Sequence, residues 1–137
     1  MKVLHVDGLP PDVLYDDVAF IHAVRTGIPG QVVRKTVELL GGHHELVANL
    51  AGVPPGNLHR IYTKPALGKA SSEGILDLLR LFAYAATILD SDDIVRGWFS
   101  CEIPALSGSR PIDLMDTFQG RAIVRDVLGK IEHGEFS

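Results

Sequence analysis

The sequence predicts an all-α fold, on three observations. Apolar residues recur at intervals of three and four rather than two along nearly the whole chain, the period of one side of a helix and not of one face of a strand. The apolar runs are punctuated like helices, with Ser, Thr or Asp where they begin and Gly where they stop; these residues satisfy first-turn amides and supply the left-handed stop. Forty-six per cent of the 137 residues are hydrophobic, enough for a real core in one compact domain or two small lobes.

The first helix is expected over Asp16–Thr26, opened by acids and closed by Gly27, with Val18, Ile21, Ala23 and Val24 on its inner side. A second follows Pro29 as GQVVRKTVELL and ends at Gly41-Gly42, with proline at the start and glycine at the end. Two short helical segments come next, HHELVANLAG and PPGNLHRIY. A long helix then starts at Ser71 or Ser72 as N-cap and runs to about Leu89. DSDDIVRGWFS gives another short helix, capped by Asp90 or Ser91, and EIPALSGSRP is a loop. Pro111 opens a short turn, and Thr117 caps a last helix whose stripe is Ile123, Val124, Val127, Leu128 and Ile131, ended by Gly134. The expected domain division is 1–69, an N-terminal helical segment, and 70–137, the long helix with the C-terminal part.

Composition narrows function mainly by exclusion. The longest apolar stretch, Leu78–Leu89, is shorter than the roughly 20 residues a membrane span needs and contains Arg80. No signal peptide opens the chain, so a cytoplasmic protein without membrane association is expected. The single cysteine, Cys101, cannot make an internal disulfide and reads as a small buried hydrophobe beside Trp98-Phe99. Phe82, Tyr84, Trp98 and Phe99 read as core. His5, His22, His43, His44, His59 and His133 fall in no metal-ligand spacing, and no nucleophile–base pair or phosphate-binding glycine loop occurs. No cofactor, metal or enzymatic activity is expected.

Charge is uneven. Net charge is −4, yet residues 34–69 carry a local balance of +3 and residues 73–137 one of −5, which suits two surfaces with different partners. Inside the basic part, ELVANLAGVPPGNLHRIY (Glu45–Tyr62) has the shape of a helix-turn-helix. Val47, Ala48 and Leu50 face inward, Gly52 makes the turn, Val53 plugs it, and Leu58 and Ile61 anchor the second helix. That leaves Asn57, His59, Arg60, Thr63 and Lys64 to meet DNA bases or phosphates. Pro54-Pro55-Gly56 stands where polar residues normally open such a helix.

The segment Ile103–Ser137 reads IPALSGSRPIDLMDTFQGRAIVRDVLGKIEHGEFS. Its Pro104-Ala105-Leu106, Gly108, Arg110-Pro111, Asp113-Leu114, Thr117, Gly129, Ile131-Glu132 and Gly134 resemble the pattern of the antitoxin Xre/MbcA/ParS toxin-binding domain. AVRTGIPGQVV and the helix-turn-helix resemble the Xre-type N-terminal half of the same proteins. Ser107 and Ser109 stand where glycine is commoner. The resemblance implies a small helical toxin-binding part and an antitoxin of a type II pair. Its implied partner is a RES-domain toxin that consumes NAD, and through the helix-turn-helix it implies repression of the shared operon, by a homodimer on operator DNA.

A cleft that binds a dinucleotide must present cations and donors to the pyrophosphate. An inhibitor does well to offer it anions, and this tail has Glu132, Glu135 and the carboxylate of Ser137, with Phe136 as an apolar anchor. Lys130 and His133 flank them, and Arg110 is added because a planar guanidinium suits carboxylates across an interface. The expected toxin-binding residues are therefore Arg110, Lys130, Glu132, His133, Glu135, Phe136 and Ser137. The rest of RPIDLMDT reads as a brace, with Asp113 and Asp116 satisfying local amides or pairing with Arg110. The alternative is a stand-alone helix-turn-helix regulator with no toxin partner.

Overall fold

The computed structural model describes residues 3–134, and among them are seven α-helices and three single-turn 3-10 helices, with no strand. The all-α expectation holds. The described chain forms two compact units, Val3–Arg80 and the part from Leu81 onward, and the division falls inside the longest helix.

In the first unit, α1 spans Asp17–Thr26. The Asp16 carboxylate accepts from the Ala19 amide at 2.8 Å, and Gly27, at φ +90°, takes the stop. Its inner side differs from expectation: Phe20 and Val24 are buried, whereas Val18 and Ile21 are 61% and 45% exposed. Spacing of three and four allowed either stripe, and the larger ring goes inside. The Arg80 guanidinium covers Phe20 at 3.9 Å from the ring centroid and pairs with Asp77 at 3.0 Å and Asp17 at 3.8 Å.

Helix α2, Gly30–Leu40, buries Val32, Val33, Thr36, Val37 and Leu40, and Pro29 is its N-cap rather than its first helical residue. Gly30 allows the closest approach in this unit. A side-chain carbon there would lie 1.8 Å from the Ile61 carbonyl oxygen, and the Gly30 amide donates to the Lys64 carbonyl at 2.8 Å. Helix α3 is His44–Ala51; a 3-10 turn over Pro55–Asn57 leads into α4, Leu58–Ile61.

Helix α5 is Lys69–Leu89, so it begins before the two serines expected to cap it. Ser71 instead donates its hydroxyl to the Ala51 carbonyl at 3.0 Å. Ser72 accepts from the Ile28 amide at 3.0 Å and donates to the Leu67 carbonyl at 3.4 Å. Ser71 ties the end of α3 to this helix and Ser72 ties the adjoining loops, a tertiary use that local capping rules do not anticipate.

The second unit continues α5 past Leu81 and adds α6, Asp92–Phe99, capped by Ser91 through the Ile94 amide at 3.4 Å. Phe82 and Phe99 meet edge to face, centroids 5.9 Å apart and planes at 84°. Two 3-10 turns follow, Pro104–Leu106 and Pro111–Asp113, then α7, Phe118–Glu132. Cys101 is exposed, not buried as its aromatic neighbours suggested, because it follows the end of α6 in a surface bend. Ser107 is left-handed at φ +58°, a conformation that costs a non-glycine residue about 1 kcal/mol and accounts for glycine being commoner at that place.

Candidate functional site

The segment expected to be a helix-turn-helix is closed by local geometry. Gly52 ends α3 at φ +77°, and the Val53 amide donates back to the Ala48 carbonyl at 3.0 Å, a glycine stop that satisfies α3's last carbonyls. Leu58 and Ile61 are buried beneath α4. That arrangement turns His59, Arg60, Thr63 and Lys64 to solvent, with Asn57 half-buried. The second helix itself is only four residues long after the Pro55–Asn57 turn, since Pro54 and Pro55 have no amide hydrogen with which to extend it backwards.

The basic surface is smaller than the sequence suggests. Arg34 and Lys35 both pair with Glu38 at 3.5 Å, and Lys35 reaches Asp7 at 3.9 Å. Among the described residues Arg60, Lys64 and Lys69 have no such carboxylate partner, so the uncompensated charge gathers beside α4 and at the start of α5. No three of His, Cys, Asp and Glu come together in metal-binding fashion among the described residues.

In the second unit the RPIDLMDT stretch is a brace built on four contacts. Arg110 grips Asp113 with both arms of its fork, Nε to Oδ2 at 2.8 Å and Nη2 to Oδ1 at 2.9 Å. These hydrogen bonds push the guanidinium pKa further up. Pro111, Ile112 and Met115 are buried. Thr117 caps α7 by accepting the Gly120 amide at 2.9 Å. Gly120 lies so close to the turn that a side-chain carbon would sit 1.6 Å from the Leu114 carbonyl oxygen.

Arg121, which sequence reading missed, is only 6% exposed and donates from Nη1 to the Met115 carbonyl at 2.9 Å. Its signal was a charge on the side of α7 that also carries Val124 and Leu128. The carbonyl it serves lies between the Pro111–Asp113 turn and α7, where a buried acceptor must find its donor outside the local helix.

The expected toxin-binding residues fall into separate places. Arg110 and Asp113 stand at the beginning of α7, through the turn seated on Gly120. Lys130, Glu132 and His133 are exposed at its far end. The helix has 15 residues, about 22 Å at 1.5 Å per residue, so Arg110 and the tail do not form one small site. Glu135, Phe136 and Ser137 lie outside the described residues.

The Glu132 Oε1 accepts from the Tyr84 hydroxyl at 3.2 Å, and His133 Nε2 is 3.8 Å from the same oxygen. Tyr84 was expected in the core; it is instead half-buried, its ring against the protein and its hydroxyl at the carboxylate. Burial first, then the hydrogen bond to Glu132, raises its pKa above the ordinary tyrosine value.

Comparison with a family model addresses this second unit. The antitoxin Xre/MbcA/ParS C-terminal toxin-binding domain matches residues 85–134, from the latter part of α5 through α7. A protein of Sphingobium sp. (strain YBL2) named Prs ADP-ribosylating antitoxin is 31% identical over 80 residues, covering 52% of this chain and 50% of that protein. The chain thus spans about half the length of the curated relative it matches. Residues 85–134 are thus similar to the antitoxin Xre/MbcA/ParS C-terminal toxin-binding domain, and about half of the chain is similar to a protein named as an antitoxin.

Proposed function

We propose that this chain is the non-enzymatic antitoxin of a type II pair. Its C-terminal part binds an NAD-consuming toxin of the RES type and covers the active site. Its helix-turn-helix binds operator DNA as a homodimer and represses the pair's own operon in the cytoplasm.

One observation carries the first half. The toxin-binding match ends at residue 134, on the exposed final turn that carries Lys130, Glu132 and His133. An NAD site holds its pyrophosphate with cations and amide donors, and Glu132, Glu135 and the carboxylate of Ser137 are the anions this tail offers in its place. ADP-ribosylation, which the similar protein's name contains, consumes NAD, in keeping with a toxin of this chemistry. No helix among the described residues is long and apolar enough to cross a membrane.

Support for the DNA half is the packing of Leu58 and Ile61 beneath exposed Arg60 and Lys64. Because Pro54 and Pro55 offer phosphates no amides, contact falls to Asn57, His59, Arg60, Thr63 and Lys64.

Co-purification with the toxin encoded beside it tests the first half: a stable complex is expected, and a chain that ignores the toxin leaves only the regulator. For the second, Lys64→Ala is expected to weaken operator binding by about tenfold at all sequences and to flatten the salt dependence by roughly one unit of slope. Asn57→Ala is expected to lower affinity for the operator selectively. Indifference of both variants in a gel-shift titration over salt contradicts the DNA assignment.

A further inference from the structure

We propose that Tyr84 is a positioning residue for toxin binding: it fixes the Glu132 carboxylate in the orientation in which the toxin receives it. This rests on the reading that Glu132 faces the toxin, and it concerns a residue just outside the family match, which begins at residue 85.

Three observations lead there. The first is that Glu132 is the last residue of α7, where the negative end of the helix dipole and the unpaired carbonyls disfavour a carboxylate. Stability alone favours a cation at that place, so an acid there points to a task outside the helix. The second is that the carboxylate, although its side chain is 45% exposed, is held by a hydroxyl from another helix, 48 residues away in sequence. A glutamate free on a surface samples many rotamers, and ordering it on binding subtracts from affinity; a carboxylate already held meets the partner without that loss.

The third is that Tyr84 is placed to do this. Its ring is half-buried on α5 and its hydroxyl lies against the α7 face that carries Gly129, whose added side-chain carbon would sit 3.5 Å from the oxygen. Arg125, one turn before Gly129, also acts on the Tyr84 hydroxyl through its charge. The phenol is therefore anchored by its ring, while its polar tip is committed to the acid at the helix end. A tyrosine serving only to fill space would need no acceptor, and phenylalanine would do as well.

The test is a double-mutant cycle on the full chain against the purified toxin, reading dissociation rate, Kd and thermal midpoint for wild type, Tyr84→Phe, Glu132→Ala and the pair. Tyr84→Phe keeps the ring and is expected to weaken binding by about five- to tenfold, mostly through faster dissociation, with the midpoint little changed. Glu132→Ala is expected to weaken it at least as much. In the Glu132→Ala background, Tyr84→Phe is expected to cost nothing further, because nothing remains to be positioned.

An equal loss from Tyr84→Phe in both backgrounds, or no loss in either, overturns the proposal. So does wild-type affinity of Glu132→Ala, which removes the toxin contact from Glu132 while the antitoxin reading stands. A wild-type chain with no affinity for the toxin fails before any variant is compared, and overturns the proposed function itself.

Discussion

Removal of residues 132–137 is expected to leave a folded chain that no longer restrains its toxin. The buried residues of α7 are Gly120, Arg121, Val124, Val127 and Leu128, all upstream of the cut, and Glu132, His133 and Gly134 are exposed. The thermal midpoint should therefore move by only about 2 °C, the size of a frayed helix end. Toxin affinity is expected to fall by at least about 100-fold, roughly 3 kcal/mol, because the deletion takes the Phe136 anchor together with Glu132, Glu135 and the Ser137 carboxylate. Phe136→Ala alone should account for about tenfold of that. The measurement is titration of toxin activity with intact and shortened chain at matched concentration. Equal titration by both excludes the tail as the inhibitory element.

Gly120→Ala and Gly129→Ala make one chemical change in one helix, with expected effects of opposite sign. At Gly120 the new carbon meets the Leu114 carbonyl oxygen at 1.6 Å, its carbon at 2.6 Å and the Thr117 hydroxyl at 2.9 Å. Two of these are backbone atoms, so the Pro111–Asp113 turn must lift from α7. Lifting it strains both the Thr117 cap and the bond from Arg121 to Met115. A loss of about 3 kcal/mol is expected, roughly 10 °C in thermal midpoint.

At Gly129 the new carbon makes an ordinary 3.5 Å contact with the Tyr84 hydroxyl, while alanine removes glycine's entropic penalty in a helix interior. A gain of about 0.5–1 kcal/mol is expected there. Thermal unfolding of the two variants side by side checks both. Equal stability of the two proteins would mean that the turn is not seated on Gly120 as described.

What the sequence made legible is what local chemistry decides. Asp16, Ser91 and Thr117 cap the helices that follow them, and Gly27, Gly41 and Gly52 end those before, all at positive φ. Each is settled within a few residues by orphan amides or a left-handed backbone.

The misreadings arise where a distant partner decides. Ser71 and Ser72 look like caps from their neighbours alone, but their bonds run to Ala51 and Ile28. The inner side of α1 is the one whose larger ring, Phe20, finds a buried place, which Arg80 from α5 helps to cover. Tyr84 stands half-buried, its hydroxyl donating a hydrogen bond to an acid 48 residues away.

The site divides the same way. The Arg110–Asp113 pair was one of the alternatives open from their spacing, and it occupies both arms of the fork that had suggested a contact across an interface. Arg121 was hidden because a buried arginine is legible only once the carbonyl it serves is known. The C-terminal pattern itself was legible, since Pro104, Pro111 and Thr117 each set a turn or a cap, whereas the seat that Gly120 gives the turn shows only in the packing.

If this chain spares NAD by covering a toxin, NAD content in growing cells must follow its presence. Three strains suffice: one expressing the neighbouring toxin gene alone, one adding the full chain, and one adding the chain without residues 132–137. NAD is expected to collapse with the toxin alone, to recover with the full chain and to stay low with the shortened one. NAD that never falls with the toxin, or falls equally in the presence of the full chain, contradicts this role.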